Sequence, residues 1–147
     1  MVARLLRSGN ERAMQTPVFI NFPVADLGRA THFYAAIGFG AVPALTTRSM
    51  ACLIGPAGLG LMLLTPKAWA RFTPRPPSPA GTSETMIALP CASRAEVDRL
   101  TGLAVAAGGV ADPNPVQDLP VMYSRSFADP DGHIWETMWL DPAVLAG

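Results

Sequence analysis

The side chain most able to do chemistry in this sequence is Glu136. It lies in "DPDGHIWETMWLDP", residues 129–142, where a tight Asp-Pro-Asp-Gly turn feeds an apolar and aromatic run. A carboxylate aimed into a pocket from such a run can ligate a metal, move a proton or pair with a cation. The run before it, "VMYSRSF", carries Tyr123 and Arg125, two apart and therefore on one strand face. If that face is the inner one, Arg125 receives an anionic or carbonyl oxygen, Glu136 transfers a proton and Tyr123 joins the polar cluster. The competing reading is a structural Arg–Glu pair with a hydrogen-bonded tyrosine. His133 and His32 are the only histidines. His133 is an odd number of residues from Glu136 and so faces away from it on a strand, which suits a turn or hydrogen-bonding role better than ligation. His32 falls on a helix between core positions.

These residues must be positioned by regular elements. Val18 to Val24 is β-branched and aromatic, Asp26 is a good N-cap, and Leu27, Ala30, Phe33, Tyr34 and Ile37 recur at helical spacing before Gly38. Strands are predicted near 41–46, 50–54 and 59–65, the last two joined by the turn "GPAG". Residues 66–84 are proline-rich and read as a linker, with one helical turn around Trp69. The pattern then restarts. A strand over 85–91 is followed by the capping box "SRAE", a helix through Val97, Leu100, Leu103 and Ala107 to Gly108 and Gly109, and strands near 110–117, 121–128 and 133–140.

Both halves read β, α, β, β, β, and the two align at the strand-to-helix junction and at the turns closing at Gly58 and Gly132, so a duplication is the simplest account. Each unit alone leaves one sheet face exposed. The expected fold class is therefore α+β: two βαβββ modules, 16–65 and 85–142, forming a curved, barrel-like mixed sheet around a cavity with helices outside. Residues 1–15, with Arg4, Arg7 and Arg12, read as an N-terminal extension rather than a secretion signal.

Composition narrows the partners. Half the residues are hydrophobic and 15% are charged, enough for a sizeable core. Eleven basic residues balance eleven acidic ones, so nothing electrostatic points to nucleic acid or an anionic membrane. No apolar run reaches the roughly 18 residues of a membrane span. Cys52 and Cys91 stand apart in apolar runs and read as free thiols in a reducing compartment, which makes the cytoplasm the expected location.

The stretches "FINFPVADLGRATHFYAAIGF" and "MYSRSFADPDGHIWETMWLDP" resemble the vicinal oxygen chelate superfamily, which includes glyoxalase I, fosfomycin- and bleomycin-resistance proteins and extradiol dioxygenases. Within it the chain is most similar to the lactoylglutathione lyase-like group. The resemblance covers about residues 16–142 and implies the fold more specifically than the reaction. It implies metal ligands on the first strand of each module and on the last strand, ending with a Glu, and a divalent ion that stabilises an oxyanion.

By the internal alignment those positions are Phe19, Met62, Met86 and Glu136. Asn21 adds only a weak amide oxygen, and a tight site needs two or three protein ligands. The expectation is a small-molecule pocket lined by Phe19, Asn21, Met62, Met86 and Met138, with Glu136, Arg125 and Tyr123 as its catalytic candidates. No cofactor is expected, and Glu136 is the one ligand if Zn, Ni or Mn binds. Two alternatives stand beside this: a divalent-metal lyase or isomerase of the lactoylglutathione lyase type, completed by a second chain in a homodimer, and a drug-sequestering resistance protein.

Overall fold

A computed structural model describes residues 17–147. The N-terminal extension, together with Thr16 at the start of the first module, lies outside the described residues.

Module one contains β1 (Phe19–Pro23), α1 (Leu27–Ala36), β2 (Gly40–Ala41), β3 (Met50–Ile54) and β4 (Gly60–Leu64). Its strand order is β1-β4-β3-β2, with β1 parallel to β4 and the other pairs antiparallel. After α2 (Pro66–Phe72) and the remaining linker comes module two: β5 (Met86–Pro90), α3 (Arg94–Ala106), β6 (Val110–Ala111), β7 (Gln117–Leu119), β8 (Met122–Ala128) and β9 (Ile134–Leu140), followed by the short α4 (Pro142–Ala146). Here the order is β5-β9-β8-β6, with β7 also on β8. The parallel pair β5–β9 repeats β1–β4.

The α+β class and the duplicated architecture are as expected, but the sheet is not a closed barrel. It is two separate sheets, because β1 and β5 are not hydrogen-bonded to each other. Local chemistry explains the other differences. The strand expected over 41–46 is only Gly40–Ala41, because Pro43 opens a single 3₁₀ turn over Pro43–Leu45. The strand expected over 110–117 breaks after Ala111, where Asp112 adopts φ 51°. The single turn expected around Trp69 is the seven-residue α2, capped by the Thr65 hydroxyl on the Ala68 amide.

Both long helices begin as their caps dictate: Asp26 accepts from the Arg29 amide and Ser93 from the Glu96 amide. The capping box at 93–96 is half formed, because the Glu96 carboxylate takes Arg99 instead, at 2.6 and 2.7 Å.

One core joins the modules. Phe33, Tyr34 and Ile37 of α1 and Leu100 and Ala104 of α3 pack with Leu53, Leu61 and Leu63 of one sheet and Leu89, Phe127 and Trp135 of the other. The Phe33 and Phe127 rings lie 5.9 Å apart, and Tyr34 and Trp135 5.8 Å. Each sheet thus buries one face under α1 and α3. The opposite face of each, called here the open face, carries Phe19, Asn21 and Met62 in module one and Met86, Glu136 and Met138 in module two. Among the described residues no helix is long and apolar enough to cross a membrane.

Candidate functional site

Ladder register fixes what surrounds Glu136. It pairs with Ala88 on β5 and Ser126 on β8, and paired residues share a face. Ser126 Oγ is engaged by the 112–116 loop, accepting the Asn114 amide at 3.0 Å. Glu136 is partly buried. The ion pairs of the described arginines go elsewhere, to Asp131, Asp118, Glu96, Asp98 and Asp112.

The structure places the four symmetry-related positions read from the sequence on equivalent faces of the two sheets. Phe19 pairs with Gly60, Asn21 with Met62, Met86 with Ile134 and Ala88 with Glu136, so Phe19, Met62, Met86 and Glu136 all lie on the open faces. The Phe19 ring sits so close over Gly60 that an added Cβ there would meet it at 2.5 Å. Met138, beside Pro90 and Ser124, is on the same face. Asn21, Met86 and Ala88 are exposed, while Phe19, Met62 and Met138 are partly buried.

Tyr123 and Arg125 are not part of this group. Arg125 pairs with Thr137 and Tyr123 with Trp139, one register step from Glu136, and both point to the α3 side of the sheet. Arg125 is held there by Asp112 at 2.7 Å and Asp98 at 3.0 Å. Tyr123 donates to Asp98 at 2.9 Å. These hydrogen bonds, that of Asp112 first, hold the Arg125 guanidinium above its usual pKa, and they hold Asp112 below the usual carboxylate range. The polar cluster of Glu136 with Arg125 and Tyr123 therefore does not form, and the arginine's partners are aspartates, not Glu136.

Sequence reasoning missed the network that ties the Asp-Pro-Asp-Gly turn to module one. Buried Tyr34 donates to Asp129 Oδ2 at 2.6 Å and accepts from Trp135 Nε1 at 3.0 Å. Asp129 Oδ1 accepts the amides of Asp131 and His133, and Asp131 Oδ1 accepts the Ala25 amide at 2.8 Å. Burial, followed by the Asp129 charge, pushes the Tyr34 phenol well above its ordinary pKa. His133 stacks on Phe22, rings 4.0 Å apart and 4° from parallel, and its Nε2 meets Pro23 O at 2.8 Å, which requires the Nε2–H tautomer or the imidazolium. The signal in the sequence was a tyrosine on the core face of the first helix, a position where its hydroxyl needs a buried partner.

Two cavities adjoin the open face. One, of about 770 Å³, lies beneath the linker and is lined among others by Asn21, Trp69, Arg75, Glu84, His133 and Ile134. The other, about 550 Å³, lies at the seam where Val18 and Gly58 approach Ile87 and Leu89. Of the residues predicted to line a pocket, Asn21 borders the larger of these two cavities. Among the described residues no three His, Cys, Asp or Glu side chains are grouped so that they could hold a metal ion. Of the two thiols, Cys52 is fully buried and Cys91 partly so, and burial raises the pKa of both.

No family model matches the sequence, and no curated protein does. Solved structures do match. The hypothetical protein SA1046 from S. aureus is 25% identical at a TM-score of 0.71, over 86% of this chain and 94% of that one. A glyoxalase-related enzyme from Fulvimarina pelagi is 27% identical at 0.64, over 86% and 88%. A glyoxalase/bleomycin resistance protein/dioxygenase family enzyme from Burkholderia phytofirmans PsJN shares the fold at 17% identity and 0.69, over 83% and 96%. With its duplicated βαβββ modules, the chain has the fold of the glyoxalase/bleomycin resistance/dioxygenase proteins, that of the vicinal oxygen chelate superfamily.

Proposed function

We propose that this chain binds a small organic molecule on its open face without a divalent metal held by its own residues. The observation that carries the reading is the composition of four equivalent positions on that face, Phe19, Met62, Met86 and Glu136, which bring one carboxylate, two thioethers and a phenyl ring. Thioethers and a phenyl ring are poor ligands for a hard cation, whereas apolar walls with a few polar groups suit an organic molecule. Asn21, Gln117, Ser124 and Ser126 add hydrogen-bonding groups on the open faces. Arg125 and Tyr123, being on the other side of the sheet, enter this reading as positioning residues for β8 and α3.

The second reading is a divalent-metal lyase or isomerase, and the position of Glu136 favours it, since that is where the superfamily resemblance implies the terminal ligand. It requires a second protomer to bring the missing donors. A homodimer in the cytoplasm is compatible with both readings.

Nile red, a neutral apolar dye, tests the first. Its emission is expected to rise and shift to the blue with wild-type protein and with Glu136→Gln, and to do neither with the pair Met62→Lys and Met138→Lys. A blue shift unaffected by the paired lysines would place the binding surface elsewhere.

A further inference from the structure

Residues 17–147 contain five methionines, Met50, Met62, Met86, Met122 and Met138, and all five lie on the open faces. Met50 pairs with Leu64, two residues from Met62, and Met122 with Leu140, two from Met138. Of these, Met86 is 56% exposed and the other four are partly buried. Unbranched, polarizable thioethers make an adaptable surface that accommodates varied apolar shapes and attracts aromatic rings. None of the five belongs to the core that joins the modules.

Against this surface stands one charge. Among the strand residues of the open faces Glu136 is the only charged side chain; its row and the rows beside it hold alanine, serine, proline, methionine, isoleucine, valine and one neutral glutamine, Gln117. The linker adds one charge of each sign, Arg75 and Glu84, where it roofs the neighbouring cavity. A partly desolvated carboxylate gains most from a cation or a strong donor and is opposed by an anion.

Resting on the ligand-binding reading above, we infer that the open face selects apolar organic cations: molecules carrying an amine or quaternary ammonium beside aromatic or aliphatic surface. The ammonium pairs with Glu136, and the apolar part spreads over the methionines and Phe19. Because Met side chains repack readily, discrimination is by charge more than by shape.

The test uses two dyes on the full chain: rhodamine 6G, an aromatic cation, followed by anisotropy, and neutral Nile red. Rhodamine 6G is expected to bind wild type at least tenfold more tightly than Glu136→Gln, to be displaced by benzyltrimethylammonium, and to retain most of its affinity for Glu136→Asp. Nile red is expected to bind all three proteins alike. Equal rhodamine affinity for wild type and Glu136→Gln, with Nile red still bound, overturns the cation selection and leaves the ligand face intact. Failure of both dyes, whether the protein sediments as monomer or dimer, overturns the ligand face as well.

Discussion

Two carboxylates in module two show how environment sets a residue's role. Asp112, held by Arg125, has its pKa lowered first by that hydrogen bond. Its folded form releases a proton more readily than its unfolded form. The stability it contributes is therefore present above the ordinary carboxylate pKa and is lost as pH falls through that value toward the folded one. Asp112→Asn is expected to flatten the acid limb of urea midpoint against pH, between about pH 2 and 5, while lowering stability at neutral pH by about 1 kcal/mol. Asp129 behaves oppositely: burial raises its pKa, so its contribution is full at acid pH and shrinks as pH rises through the carboxylate range. Its partner Tyr34 offers a direct measurement. Tyr34→Phe removes the 2.6 Å donor to a buried carboxylate and the acceptor of Trp135 Nε1, so urea unfolding should show a loss of about 1–3 kcal/mol.

At the scale of elements, period and caps in the sequence were enough to find the two long helices and eight of the nine described strands' places in the order, because Asp26, Ser93 and the glycines at 38 and 108 act locally. What depends on register was not legible. Whether Tyr123 and Arg125 share a face with Glu136 is decided by the 129–133 turn, which pairs Ala128 with Ile134 and so sets Arg125 opposite Thr137. A one-residue difference in that turn would have reversed the answer. That Phe19, Met62, Met86 and Glu136 occupy equivalent faces was legible, because an internal repeat supplies its own reference frame. The partners of Tyr34 were not, because they come from residues about a hundred positions away.

For the whole molecule, the shared core has a consequence for folding. Phe33 and Tyr34 of module one complete their packing only on Phe127 and Trp135 of module two. Neither module is expected to fold alone: residues 17–65 and 85–147 made as separate chains should lack a cooperative urea transition, whereas the intact chain should give coincident transitions by tryptophan fluorescence and far-UV circular dichroism. A cooperative transition in either isolated half would show that the modules are independent.

The central claim, that the open face binds organic molecules without a metal held by this chain, is tested most directly by metal content. Protein prepared without a histidine tag, dialysed against zinc, nickel or manganese and then against metal-free buffer without chelator, is expected to retain no stoichiometric metal, in wild type and Glu136→Gln alike. Close to one equivalent per chain in wild type, lost in Glu136→Gln, would contradict the claim and make Glu136 a ligand in a divalent-metal lyase or isomerase.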